Sequence, residues 1–361
     1  VRFPAGLTLK NKLFNFVSSL DLERSVPKSI TAYFFIVGQL MFGFNFGFTR
    51  SFKNAKWVKN VLFIIPLFYI FYSFYIITGD QSIFYWKFLY PIQYFFYVFT
   101  LILTKHSVYD FIIDISALDG GDVKNFSKFG VVIFIYTLAT FIFKMSLCVF
   151  ACLYYEDWCV NFDWLSYMVF IPSLAIEMFP VVLTLIVYLI LTRIKYMKYY
   201  ISDFRSDVAN MQNYYMSLSD CYDKIKPFYI VLELVLDSPK LLVMMWKALH
   251  FVQLNSDFMI YLSWFIYVVH IVIQICIPAI VAEMINTEMD EIKIILNKQI
   301  MIQPDEKRNL QMTHLCNFMN CKPLNHVVGN VIPVDMRLPV SLFGLYTTYF
   351  IVVIQFTHLY D

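Results

Sequence analysis

The chain has 361 residues and a net charge of +2; 60% of them are hydrophobic, 19% aromatic and only 15% charged. A soluble domain of this size has too little interior to hide that much apolar surface, so a membrane protein is the class to expect. The balanced charge, with no basic stripe and no zinc-ligand spacing, excludes any sequence sign of a nucleic-acid partner. The chain opens on Val1, which reads as a trimmed start. Val1 to Lys28 holds five Lys/Arg and no apolar run ending in small residues, so no cleavable signal peptide is expected.

A spanning helix needs about 20 mainly apolar residues. Eight stretches qualify, beginning with 29–48, which carries Gly38, Gln39, Gly43, Asn45 and Gly47 and reads as an interfacial or re-entrant segment. The other seven are predicted transmembrane helices: S1 (59–78), S2 (84–104), S3 (130–153), S4 (168–192), S5 (228–251), S6 (258–282) and S7 (338–358). Lys and Arg are segregated between the connecting segments. Nine precede or abut S1, three lie between S2 and S3, six between S4 and S5 and six between S6 and S7, so 24 of the 28 fall on one side. The segments 79–83, 154–167, 252–257 and the tail after 358 hold none, and 154–167 carries Glu156, Asp157 and Asp163. The positive-inside rule then gives a cytoplasmic N-terminus and an extracellular C-terminus, the reverse of a G-protein-coupled receptor. A spanning 29–48 would leave 49–60 as a basic outside loop. The lone sequon, Asn125-Phe126-Ser127, falls on the cytoplasmic side and is expected to stay unmodified.

The fold expected is an all-α integral membrane protein whose helices extend into the cytoplasm. Its organisation is a cytoplasmic region 1–58, sensing helices 59–192 (S1–S4), an S5–S6 and anchor region 193–337, and the last helix 338–361. No internal repeat points to an inverted-repeat transporter. Between S4 and S5, apolar or aromatic residues recur at 194, 197, 201, 204, 208, 211, 215, 218, 222 and 225, a helical stripe for core or subunit contact. A turn is required within it and is placed at Ser202–Asn210, where Ser, Asp and Asn cluster. Ile285, Met289, Ile292 and Ile295 continue S6 as one face, and Leu315, Phe318 and Met319 mark a short helix before Pro323. Cys152 and Cys159 flank a short loop, either as a disulfide or as two free thiols. Cys316 and Cys321 lack the second pair a zinc site needs.

Ionisable residues inside spans are functional candidates. Lys144 on S3 and Glu177 on S4 lie at matching depths, as a structural pair or a ligand contact. Lys87 and Lys247 lie where they can snorkel; Asp237 and Lys240 on S5, beside Pro239, can neutralise each other. The outer halves of S2 to S6 are rich in rings: Trp86, Tyr90, Tyr94, Phe150, Trp164, Tyr167, Trp246, Tyr261 and Trp264, with Gln93, His250 and Gln253 nearby. Such a lining suits a small organic ligand, although Trp and Tyr also gather at membrane interfaces for their own sake.

S7 carries Ser341, Thr348 and Gln355 at intervals of seven, with Gly344 on the same side. Small and polar residues also mediate helix packing in lipid; a water-filled path needs several copies of the face around an axis. Ile351, Val352 and Phe356 then supply an apolar constriction.

The end of S7, Thr348-Tyr349, five residues, then Gln355-Phe356, resembles the C-terminal signature of insect gustatory receptors. Gly329-Asn330-Val331-Ile332-Pro333-Val334-Asp335 resembles the family's turn into the last helix, and Cys276 and Glu283 fit its pattern; the resemblance spans roughly Asn210 to Phe356. It implies a ligand-gated, nonselective cation channel with S4–S7 as a shared anchor at the centre of a tetramer. Gln355 and Phe356 would sit at the narrowest part, with Thr348 and Tyr349 in packing. It implies a pocket in the outer half of S2–S6, to which Tyr90, Tyr94, Lys144, Trp164, Tyr167, Glu177, Trp246, Tyr261 and Trp264 are assigned as ligand-binding candidates. Ser341, Thr348, Ile351, Val352, Gln355 and Phe356 are the pore and gate candidates.

The function expected is a tastant-gated channel of the plasma membrane, homotetrameric or assembled with related receptor subunits. Its partners are a small-molecule tastant, permeant cations and the lipid bilayer, with no cofactor, metal or G protein. The ring-rich helices favour a bitter plant compound over a sugar. The alternatives are a seven-helix G-protein-coupled chemoreceptor, or a subunit that does not form the pore. The first needs the opposite orientation, and neither Asp-Arg-Tyr nor Asn-Pro-x-x-Tyr occurs. Metalloprotease, acyltransferase and P-loop spacings are absent too, so no enzymatic activity is expected.

Overall fold

The computed structural model describes residues 93–99, 107–118, 135–146, 149, 164–202, 207–225, 258–324, 327–328, 332–333 and 337–358. Spans S1 and S5, the segment 29–48, the Cys152–Cys159 loop and the sequon lie outside the described residues. Five helices run as α1 (Ser107–Ala117), α2 (Trp164–Ser202), α3 (Phe258–Ile302), α4 (Glu306–Cys321) and α5 (Arg337–His358). Helical residues also occupy 93–99, Ile135–Ser146 and 208–225. Two compact units divide the chain, Val1–Glu177 and Met178–Asp361.

Within α2, Leu174–Ser202 is long and apolar enough to cross a membrane, as is Phe265–Ile302 within α3. The two are buried differently. From 174 to 194, almost every described side chain of α2 is buried, as expected of a helix apolar on all sides. On α3 one face (Tyr267, Ile271, Gln274, Ile275, Ala279, Ala282, Ile285) is buried, whereas Phe265, Ile266, Val269, Ile273 and Ile280 are exposed. The exposed face is the more apolar of the two, a pattern that water disfavours and lipid accommodates. Pro278 sits inside α3 and brings no N–H, so the Gln274 carbonyl loses its helical donor.

Below these apolar runs the predicted stripe is observed at nine of its ten positions; Phe204 lies outside the described residues. Ile194, Met197, Ile201, Val208, Met211, Tyr215, Leu218, Tyr222 and Ile225 are all buried, with α2 ending at Ser202 and the next helix starting at Val208. Asp207 begins that second helix by accepting from the Ala209 N–H at 3.0 Å. On α3, Ile285, Met289 and Ile292 are buried; Leu296 takes the next fully buried place, and Ile295 is only half-buried. The short helix expected before Pro323 is the 16-residue α4, which buries Met312, Leu315 and Met319 against this unit and leaves Phe318 half-buried. Asp305 caps it, accepting from the Lys307 N–H at 3.1 Å.

A few polar bonds tie the helices of this unit together. Buried Gln299 on α3 donates to the Ile201 carbonyl at 2.7 Å, satisfying an acceptor that the end of α2 leaves open. Lys198 on α2 pairs with Glu288 at 2.8 Å and with Glu291, both on α3. Tyr215 donates to the Lys322 carbonyl at 2.7 Å, and the Lys322 ammonium reaches Asp220 at 2.7 Å and Asp223 at 3.3 Å. Beyond Lys322 come a two-residue antiparallel pairing, β1 (Val327–Val328) with β2 (Ile332–Pro333), and then α5. The stretch 329–335, expected only as a turn, therefore contains β2, with β1 just before it.

Hydrogen bonds donated to Glu288 and then to Glu291 raise the Lys198 pKa above its ordinary 10.5. A raised folded value means that this contribution is fully present below the unfolded value and is lost as pH rises through the folded one. The stability difference between wild type and Lys198→Met should stay flat from neutral pH to about 10.5 and shrink above it; denaturant titrations across that range measure it. Tyr215→Phe, which leaves the Lys322 carbonyl without its donor, should lower unfolding stability by about 1 kcal/mol, read as a lower thermal midpoint.

Candidate functional site

The helix Ile135–Ser146 lies within S3 and has an inverted pattern. Ile135, Leu138, Phe141, Ile142 and Met145 are exposed, while Thr140 and Lys144 are buried and Tyr136, Thr137 and Phe143 half-buried. At 100° per residue these five fall on one face, and four of them are polar. The stretch 93–99 within S2 repeats the arrangement. Phe95, Phe96 and Phe99 are exposed, with Phe95 and Phe99 stacked at 5.9 Å, whereas Gln93, Tyr94 and Tyr97 are buried. The Gln93 amide donates to the Tyr97 hydroxyl at 3.3 Å. Helices that turn rings outward and amides, hydroxyls and an ammonium inward form a polar interior inside an apolar shell.

On the buried face of Ile135–Ser146, Lys144 Nζ lies 3.5 Å from Glu177 Oε1. Both side chains are buried, Glu177 completely. Such a pair is held together because neither charge can be left alone at low dielectric. Of the other ligand-binding candidates, Tyr94 is buried beside Gln93 in sequence. Trp164 and Tyr167 lie at the start of α2, and Tyr261 and Trp264 near the start of α3, with side chains outside the described residues, as are Tyr90 and Trp246 altogether.

Thr137 and Thr140 were not singled out in the sequence, where they read as two threonines in an apolar run. The available signal was spacing: 137, 140 and 144 share a helix face, so any reason to point Lys144 inward also points the threonines inward.

In α5, Ser341, Gly344, Thr348 and Gln355 are exposed, and so are Ile351 and Val352. Phe356 belongs to α5, its side chain outside the described residues. Tyr346, which sequence reasoning passed over, is the aromatic that anchors the helix, being 1% exposed. Thr347 and Thr348 donate to the carbonyls of Phe343 and Gly344 at 2.8 and 2.9 Å, which keeps their oxygens available as acceptors. A side chain at Gly344 would meet nothing within 4 Å. Tyr349, assigned to packing with Thr348, is exposed in the single chain.

Removing one partner of the buried pair strands the other. Lys144→Met or Glu177→Leu alone should cost about 3–5 kcal/mol, and the double replacement should recover most of it. Thermal unfolding of the four proteins in detergent provides the cycle.

No family model matches the chain, and no curated protein matches it either. Its fold is similar to the solved structure of the insect olfactory receptor OR5 from Machilis hrabei, at 11% identity and a TM-score of 0.59, over 84% of this chain and 90% of that one. At that identity the likeness is one of fold: this chain shares the helical architecture of an insect olfactory receptor.

Proposed function

We propose that the chain is a gustatory-type receptor acting as a tastant-gated, nonselective cation channel. The observation that carries this reading is α5: a helix attached to its own unit through Tyr346 while Ser341, Thr348 and Gln355 stand exposed in a line. A polar line on an exposed apolar helix is costly in lipid and useful around an axis, where copies of the chain turn it toward water. The fold shared with an insect olfactory receptor and the Thr348-Tyr349/Gln355-Phe356 ending support the same reading.

The arrangement proposed is a plasma-membrane homotetramer with seven spans per chain, a cytoplasmic N-terminus and an extracellular C-terminus. S1–S4 sense the ligand, S5–S6 and the helices below the membrane form the anchor, and α5 lines the pore. Gln355 and Phe356 form the gate, with Ile351 and Val352 as the apolar constriction. The ligand enters the interior around Lys144 and Glu177, with Tyr90, Tyr94, Trp164, Tyr167, Trp246, Tyr261 and Trp264 as its ring-rich surround. A bitter plant compound suits that lining better than a sugar. No G protein is needed; related receptor chains are possible co-subunits.

Cells expressing the chain alone should give a ligand-evoked cation current across a panel of bitter compounds and sugars with G-protein signalling blocked. Gln355→Ala and Phe356→Ala should alter its selectivity or gating. A response abolished by the G-protein block would sink the channel reading. Gly344→Ala touches nothing in its own chain and should gain up to about 1 kcal/mol of helix propensity. A loss of current in that variant, with normal surface expression, would therefore report contacts between copies around the pore.

A further inference from the structure

Eight hydroxyl groups in the described helices share one habit. Ser146, Thr184, Thr192, Ser202, Thr287, Thr313, Thr347 and Thr348 each donate to a carbonyl three or four residues earlier in their own helix, at 2.7–3.0 Å. This closes the donor locally, the only economical option where lipid or packed apolar side chains surround it. Thr137 and Thr140 do not do so. Their hydroxyls are buried, and among the described residues neither has a hydrogen-bond partner. Thr140 is only 2% exposed. Ser146, on the outward face of the same helix, does close onto Ile142 at 2.8 Å, so the helix itself does not forbid the bond.

A buried hydroxyl without a partner costs about 1–3 kcal/mol, a cost that a rotation toward its own backbone would relieve. Retaining two such groups on one face is explained by a partner that binds there. The face also holds Lys144, one turn beyond Thr140, paired with Glu177 at 3.5 Å. From Thr137 to Lys144 the rise is about 10 Å, the length of a small organic molecule. The ammonium and carboxylate cancel, so a charged ligand would bring an uncompensated charge into a low-dielectric interior, whereas a neutral one would not. Two hydroxyls can donate to, or accept from, a neutral oxygen function.

We propose that Thr137, Thr140 and the Lys144–Glu177 pair form a cradle for the carbonyl or hydroxyl oxygen of a neutral organic molecule. This rests on the ligand-gated reading for its biological sense and names the ligand class of that pocket; its test does not require a current. The full-length protein in lipid nanodiscs is titrated with five eight-carbon probes: octan-2-one, octan-2-ol, octane, octanoate and octylammonium. The ketone and the alcohol should bind about tenfold more tightly than octane, the worth of one good hydrogen bond, and more tightly than either ion. Thr140→Val should remove that advantage and leave octane binding unchanged, Thr140→Ser should restore it, and Thr137→Val should reduce it. In the ligand-free protein, Thr140→Val should raise the thermal midpoint, because it removes a hydroxyl that the fold does not use. Equal binding of octane and octan-2-one, preference for an ion, binding of none of the five, or a lower ligand-free midpoint in Thr140→Val would each overturn the proposal. The last would show a structural or water-bonded hydroxyl. A channel that conducts but fails these titrations would keep the function and lose the cradle; titrations that succeed without current would do the reverse.

Discussion

Hydrocarbon accepts no hydrogen bond, and a chain that is 60% hydrophobic must order its polar groups around that fact. The two inverted helical segments, 93–99 and Ile135–Ser146, satisfy it by burying amides, hydroxyls and an ammonium while phenylalanine, leucine and isoleucine face outward. On α3 the same constraint places Gln274 on the buried face and Phe265, Ile273 and Ile280 on the exposed one. In water the hydrophobic effect would drive each of these helices to turn around. The Lys144–Glu177 pair is the extreme case, because neither charge could remain in that interior without the other.

Past the apolar runs the balance changes. There the core of the second unit is conventional, with Ile194, Met197, Tyr215, Leu218, Ile292 and Leu315 inside. Charged residues stand at the surface in pairs such as Lys198 with Glu288 and Lys322 with Asp220. Exposed pairs of this kind contribute little individually. The directional bonds, Gln299 to the Ile201 carbonyl and Tyr215 to the Lys322 carbonyl, add a register that apolar contact does not specify. Where α2 leaves its apolar run, Tyr196 packs against Tyr200 and Tyr214 with ring centroids 6.2 and 6.0 Å apart. This is the amphipathic ring chemistry found where hydrocarbon gives way to water.

Periodicity made this second unit legible. The alternation of three and four from 194 to 225 identified nine buried positions, and the cluster of short polar residues located the break after Ser202. Extension of S6 well past its apolar run was legible for the same reason. The β1–β2 pairing was not, because two-residue strands leave no period to detect. Tyr346 was missed because a tyrosine in an apolar run looks the same whether it anchors a helix or faces lipid. Lys144 and Glu177 were legible as charges in spans, and equal depth was enough to pair them. The threonines were not, since a hydroxyl's role depends on whether its own backbone accepts the donor, and that is a property of rotamer rather than of composition.

The proline in α3 has a mechanical consequence. Pro278 lies about 30 Å along the helix from Phe258, close to one hydrocarbon thickness, and leaves about 36 Å of helix beyond it. A bend of about 5° at the freed Gln274 carbonyl would swing the Ile302 end by about 3 Å. Glu288, Glu291 and Gln299, which hold the end of α2, all lie on that distal arm. The arm therefore cannot swing alone: it carries the foot of α2 with it, or else the buried hydrogen bond from Gln299 to the Ile201 carbonyl breaks. The joint at Pro278 is compliant, and the truss beyond it is stiff.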